Sequence, residues 1–331
     1  MPPKELGGQR GGGEMEDSFA RSITYLRVSV TDLCNLRCRY CMPEQGVCKR
    51  EREDILSYEE IVEIVAAATE LGVRKVRITG GEPLVRPGLP ELCARLTRLP
   101  GLEELDLTTN GLLLEEYAPA LKSAGVARVN VSLDTLRPDR FREMTRGGEL
   151  ERVLRGIEVA RAAGLTPIKL NAVLIGGFND DEIADLAALT LEQDIEVRFI
   201  ELMPLGPGAQ FPPEAFLPCS AVLERLPELR ALRAPGGVAR LYQLPGAVGR
   251  VGLISPVSHD FCARCDRVRL TSDGKLKPCL HSDKEISLRG LTGQALRDAL
   301  AAAIAAKPRE HPPLTPGEAT AGGRPMHQIG G

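Results

Sequence analysis

The sequence predicts an α/β fold, an incomplete (β/α)6 barrel of parallel strands with helices outside, followed by a C-terminal extension. Three observations carry that expectation. Six strand-like runs alternate with helical patterns, one face of those strands stays polar from run to run, and a cysteine-rich loop follows the first strand directly.

The strand-like runs are 25–30, 74–78, 105–109, 128–133, 168–174 and 197–202. Between them, "SYEEIVEIVAAATELG" reads as a helix capped by Ser57 and stopped at Gly72, and "DDEIADLAALTLEQ" repeats the pattern. A complete barrel of this kind has eight β–α units. Six predict an open, three-quarter barrel, with a doubly wound sheet as the alternative.

Side-chain alternation along a strand separates the two faces. In "LRVSVT", Leu26, Val28 and Val30 oppose Arg27, Ser29 and Thr31; in "KVRIT", Val76 and Ile78 oppose Lys75, Arg77 and Thr79. "RVNVSLD" sets Val129, Val131 and Leu133 against Asn130, Ser132 and Asp134, "IKLNAV" adds Lys169 and Asn171, and Arg198 interrupts "VRFIEL". A doubly wound sheet, covered on both faces, would read nearly apolar throughout, and a standard barrel fills its lumen with branched aliphatics. A partial barrel with a wet, cationic lumen fits better. Bare buried cations are costly, so an anion such as two or three phosphates is expected there.

Around this frame, four regions are expected: a flexible Gly-rich tail over 1–20, the barrel over 21–205, a second region over 206–306 and a Pro/Gly-rich tail over 307–331. The 331 residues are 43% hydrophobic and 26% charged, with a formal net charge of −3. That balance argues against a nucleic-acid partner. No run of about eighteen apolar residues is present and the N-terminus has no apolar signal core, so a cytosolic chain without a membrane partner is expected.

Of nine cysteines, six form two groups: Cys34, Cys38, Cys41 and Cys262, Cys265, Cys279. In a cytosolic chain such groups point to metal or redox chemistry rather than disulfides. Cys48, Cys93 and Cys219 have no partner at metal spacing and read as incidental. The first group, "CNLRCRYC", sits at a strand's C-terminal end, where barrel active sites form. A zinc site completed by a distant ligand is one reading. On a four-iron cluster, three thiolates would leave one iron open to a chelating small molecule. The strand ends "TGGEP", "TTNG", "SLD" and "ELMP" share the same rim.

The second group, "FCARCDRVRLTSDGKLKPC", is C-x2-C-x13-C, for which a zinc ribbon is at least as good a reading as iron–sulfur; His259 and His281 stand near enough in sequence to complete one. Arg267 and Arg269 would add positive charge beside it, or form a solvated strand face.

With Tyr40 before the last cysteine, CxxxCxxC resembles the radical S-adenosylmethionine superfamily, and "TGGEP" resembles its GGE motif. More specifically, "LRVSVTDLCNLRCRYCMP", "VRITGGEPL", "LTTNGLLL", "VRFIELMP", "FCARCDRVRLTSDGKLKPCL" and the final "GG" resemble, in order over roughly residues 20–331, the GTP 3′,8-cyclase (molybdenum-cofactor biosynthesis protein A) family. The resemblance implies two 4Fe–4S clusters, on Cys34, Cys38, Cys41 and on Cys262, Cys265, Cys279. It implies S-adenosylmethionine contacts at Tyr40, Gly81, Ser132 and Met203. GTP would meet Arg27, Lys75, Arg77, Thr108, Lys169, Arg198, Arg267, Val268 and Arg269, and Gly330 and Gly331 would enter the active site as catalytic residues. The implied reaction abstracts the ribose 3′ hydrogen of GTP with a deoxyadenosyl radical and joins C3′ to C8, the first step of molybdenum-cofactor biosynthesis. It also implies an external electron donor and hand-off of product to cyclic pyranopterin monophosphate synthase, and is compatible with a homodimer. Asp266 stands where the family commonly has Asn, and Leu33 where it commonly has Arg. The alternatives are a peptide-modifying radical enzyme and, from another class, a zinc-ribbon binding module on an inactive barrel.

Overall fold

The computed structural model describes residues 15–48, 50–233, 237–258, 261–320 and 324–329. Six β–α units appear in the expected order: β1 Tyr25–Ser29, α1 Tyr58–Glu70, β2 Lys75–Thr79, α2 Leu89–Leu96, β3 Glu104–Thr109, α3 Leu114–Ser123, β4 Arg128–Ser132, α4 Pro138–Thr145, α5 Leu150–Ala162, β5 Ile168–Leu174, α6 Ile183–Ala188 and β6 Ile195–Glu201. The remainder forms α7 Ser220–Arg225, β7 Arg230–Ala231, β8 Arg240–Gln243, β9 Arg250–Ile254, β10 Arg267–Leu270, β11 Lys275–Lys277, β12 Ile286–Ser287, α8 Gly293–Ala305 and α9 Met326–Ile329.

Local sequence explains the helix ends. Ser57 accepts from the Glu60 amide at 3.1 Å while the Glu60 carboxylate accepts from the Ser57 amide at 2.7 Å. This reciprocal capping box contributes about 1 kcal/mol. Past its last turn, α1 stops where Gly72 takes φ +103°.

Among the described residues, the strands make one mixed sheet ordered β12-β11-β10-β1-β2-β3-β4-β5-β6-β9-β8-β7. β1 to β6 are parallel neighbours in chain order. The C-terminal region, expected as an appendage, joins this sheet on both flanks: β10 runs parallel to β1, and β9 parallel to β6. Antiparallel strands finish the edges.

Leu26, Val28, Val76, Ile78, Leu105, Leu107, Val129 and Val131 are buried in one core with the apolar stripes of α1, α2, α3 and α5. Their polar neighbours face the other way, into a cavity. Within the expected N-terminal tail, residues 15–20 are tied down. The Met15 amide donates to Leu71 O at 3.1 Å, and Asp17 pairs with Arg21 at 2.6 Å. No helix among the described residues is long and apolar enough to cross a membrane.

Candidate active site

The sheet's polar face lines a cavity of about 680 Å³. Arg27, Lys75, Arg77, Thr108, Lys169 and Arg198 all reach it from β1, β2, β3, β5 and β6, and β10 adds Arg267 and Arg269. Register puts Arg27 between Arg77 and Arg269 on adjacent strands. Burial, then Arg269, drives the Arg27 guanidinium well below its usual range. Burial and Arg267 bring Arg269 down to about 10, and burial and Arg198 bring Lys169 down to about 8, with Glu196 opposing.

The expectation that these cations require an outside anion needs correcting, because the protein supplies part of the counter-charge. Asp106 lies 2.7 Å from Arg77, 2.9 Å from Lys75 and 3.4 Å from Arg128. Glu104 pairs with Lys75 and Arg128, and Glu196 lies 2.5 Å from Arg198 and 3.5 Å from Lys169. The alternation of "LDLTT" already turned Asp106 and Thr108 toward the cations. The Tyr25 ring sits among the same cations, with Lys75, Arg77 and Arg267 at 5.3, 5.6 and 5.4 Å from its centre. Thr108 Oγ1, Asn130 Oδ1 and Asn171 Oδ1 are buried without a hydrogen-bond partner among the described residues. Such groups carry a desolvation cost that a polar ligand would relieve.

Cys34, Cys38 and Cys41 are half-buried on the loop after β1 and line the same cavity. That loop crosses so close to the β2 end that side chains are excluded there. A Cβ on Gly80 would stand 2.6 Å from Thr31 O, and one on Gly81 would stand 2.5 Å from Leu33 O. The glycine pair is therefore required by protein backbone. Glu82, fully buried, accepts from the Asn110 and Leu84 amides and the Thr109 hydroxyl, tying the ends of β2 and β3 together. Burial pushes its carboxyl up to about 7. Burial, then Glu82, pushes Cys34 up to about 11; burial, then Cys34, pushes Cys41 up to about 12. These thiols hold their protons at neutral pH, so metal binding must displace them. Tyr40 donates to Asp134 at 2.9 Å, and Tyr40, Gly81, Ser132 and Met203 all line the cavity.

The second triad lies at the other end of the strands. Cys262 and Cys265 precede β10 and Cys279 follows β11, whereas the first triad follows the C-terminal end of β1. Five strand residues separate the ends, about 17 Å. All six cysteines line one cavity. The His281 and His311 ring centres lie 4.8 Å apart with the planes tilted by 51°, and His259 lies outside the described residues. Among those residues, no three His, Cys, Asp or Glu side chains gather closely enough to share a single metal ion. A 4Fe–4S cluster, by contrast, takes each thiolate on a different iron, so the two all-thiol donor sets fit that group.

Val268 is not brought to the cavity: alternation turns its side chain into the core, 2% exposed. Arg267 and Arg269 are not a solvated face, since both line the cavity. The C-terminal segment docks here too. His327 Nδ1 lies 3.2 Å from Cys41 O, and Arg269 Nη1 donates to Ile329 O at 3.2 Å. Gly330 and Gly331 lie outside the described residues. Asp106, Glu196, Tyr25, His327 and Lys307 were missed from sequence; alternation could have found the first three, but nothing local marks the last two.

Residues 28–190 match the family described as the Radical SAM superfamily, and 195–313 match Molybdenum Cofactor Synthesis C. The chain is 54% identical over 320 residues to a GTP 3′,8-cyclase of Peptoclostridium acidaminophilum, covering 95% of this chain and 98% of that one. It is 50% identical over 321 residues to a GTP 3′,8-cyclase of Alkaliphilus oremlandii, covering 96% of this chain and all of the relative. Among solved structures, Streptococcus suis SuiB bound to S-adenosylmethionine superposes with a TM-score of 0.60 at 14% identity, over 87% of this chain and 67% of that one, a likeness of fold.

Proposed function

The chain belongs to the GTP 3′,8-cyclase family, and from that premise we propose that its cavity holds GTP between two cysteine-bound clusters. As a member, it is a radical S-adenosylmethionine enzyme with two 4Fe–4S clusters. It converts GTP to (8S)-3′,8-cyclo-7,8-dihydroguanosine 5′-triphosphate in the first step of molybdenum-cofactor biosynthesis.

One observation carries the site assignment: a single cavity is lined by both triads and by the cationic row between them. That supports Cys34, Cys38 and Cys41 as ligands of the first cluster and Cys262, Cys265 and Cys279 as ligands of the second. Cys34, Cys38 and Cys41 would hold the cluster that, when bound, would supply the electron for cleaving S-adenosylmethionine and so the radical chemistry at the ribose 3′ position.

The chain's own work is positioning and water exclusion. Arg27, Lys75, Arg77, Lys169 and Arg198 hold the triphosphate by charge-assisted hydrogen bonds, with Thr108 adding a hydroxyl. Arg267 and Arg269 neutralise charge nearer the second triad, where Val268 contributes backbone alone. Tyr40, Gly81, Ser132 and Met203 border S-adenosylmethionine. The docked tail is read as delivering Gly330 and Gly331 beside GTP. The fold is read as an incomplete barrel over 21–205, completed by 206–306. The enzyme is read as cytosolic, with an external electron donor, hand-off to cyclic pyranopterin monophosphate synthase and a homodimeric state as further proposals.

A peptide-modifying enzyme would not need the cationic row, and a zinc ribbon would gather its ligands around one ion. The deciding experiment is anaerobic reconstitution with GTP and S-adenosylmethionine, followed by product mass spectrometry. The expected result is the 3′,8-cyclised nucleotide with one deoxyadenosine per turnover; deoxyadenosine without any nucleotide product would overturn the assignment.

A further inference from the structure

We propose that Lys307 positions the second triad and sets the charge balance of the group it holds. The proposal rests on the reading that this triad holds a 4Fe–4S cluster.

Lys307 lies just past α8 and is 3% exposed. Its ammonium donates to Arg267 O at 2.7 Å and to Pro278 O at 2.8 Å. Arg267 lies two residues beyond Cys265, and Pro278 immediately precedes Cys279. One side chain thereby ties together the segments that carry two of the three cysteines.

The adjoining residues tie the third. Arg21 donates to Cys262 O at 2.8 Å, to Arg309 O at 2.9 Å and to Pro308 O at 2.6 Å. Residues 307–309 thus form the wall against which the whole triad is set.

The two anchors differ in charge balance. Arg21 has a carboxylate partner in Asp17 at 2.6 Å. Lys307 has no ion pair with a carboxylate among the described residues, although an isolated buried ammonium is strongly disfavoured. Its hydrogen-bond partners are backbone carbonyls of the segments that carry Cys265 and Cys279, so the compensating negative charge belongs to thiolates and what they bind.

A cluster gains negative charge when it takes up an electron. A fixed cation bonded to the segments that carry its ligands therefore favours the reduced form. Lys307 should raise the reduction potential of the second cluster.

The test uses the full chain carrying Cys34→Ala, Cys38→Ala and Cys41→Ala, so that only the second cluster can form. Anaerobically reconstituted protein is titrated with dithionite and mediators and followed by electron paramagnetic resonance. Parent iron of about four per chain is expected first; parent protein without iron overturns the second-cluster reading itself, and the Lys307 role with it. Lys307→Met should lower the reduced-to-oxidised ratio at fixed potential about tenfold, equal to about 59 mV for one electron, while Lys307→Arg stays near the parent. Iron lost from Lys307→Met but kept in Lys307→Arg also upholds the proposal. An unchanged titration in Lys307→Met, or equal iron loss in both variants, overturns it.

Discussion

Arg269 Nη1 donates to the Ile329 carbonyl at 3.2 Å, so a cavity cation holds the chain immediately before its final glycine pair. Upstream, Arg324 lies 2.9 Å from Asp273 and 2.6 Å from Glu285, with its side chain 12% exposed. Deleting Gly330 and Gly331, or replacing Arg324→Met, should preserve iron content and deoxyadenosine formation. Cyclised nucleotide should fall about a hundredfold, the scale of a misplaced reactant. Product and deoxyadenosine measured in one reaction check the uncoupling.

The two triads should fail differently. Cys34→Ala or Cys41→Ala should abolish S-adenosylmethionine cleavage, since each removes a ligand from the cluster that performs it. Cys262→Ala should retain some uncoupled cleavage and lose cyclisation. Wild-type product from the Cys262 variant would make the second triad merely structural.

Lys169, brought down to about 8 by burial and Arg198, gives GTP binding a pH dependence. Below pH 8 it is charged and binds phosphate; above, the free protein has lost that proton and affinity should fall. GTP restores the charge, so binding should take up protons near pH 8 to 9, readable by calorimetry in buffers of different ionisation enthalpy. For stability the sign is reversed. The unfolded chain holds the proton up to its ordinary 10.5, so the stability penalty is full below about 8 and fades as pH rises toward 10.5. Lys169→Ala and Arg77→Ala should each weaken GTP relative to guanosine by about 1.5–3 kcal/mol.

Asp106→Asn should expose how much of the lumen's balance is internal. It leaves Lys75, Arg77 and Arg128 without their shared buried carboxylate and should cost about 3–5 kcal/mol of stability. Because phosphate can replace the lost charge, GTP should raise the melting temperature of this variant more than that of the wild type. Equal shifts would mean that GTP does not reach this part of the lumen.

Gly81→Ala tests the backbone contact behind the first triad. Its Cβ would sit 2.5 Å from Leu33 O, forcing the cysteine loop away. Iron at the first site and deoxyadenosine formation should fall together, while the second cluster's signal persists.

The sequence by itself determined what alternation and spacing record: the six β–α units, the face carrying Arg27, Arg77, Lys169 and Arg198, and the two triads. These are local properties, since a strand's period of two assigns each side chain a face whatever its partner strand is. The tertiary structure alone decided who the partners are. β10 pairs with β1 across more than half of the chain, and β9 pairs with β6; short strands carry no signal for such a choice. That pairing brings Arg269 beside Arg27 and makes one cavity of both triads. It also decided single contacts with no local trace, Lys307 on Pro278 O and Arg324 on Asp273. Periodicity fixes which way a residue points, whereas the neighbour it meets depends on how the whole chain buries its apolar surface.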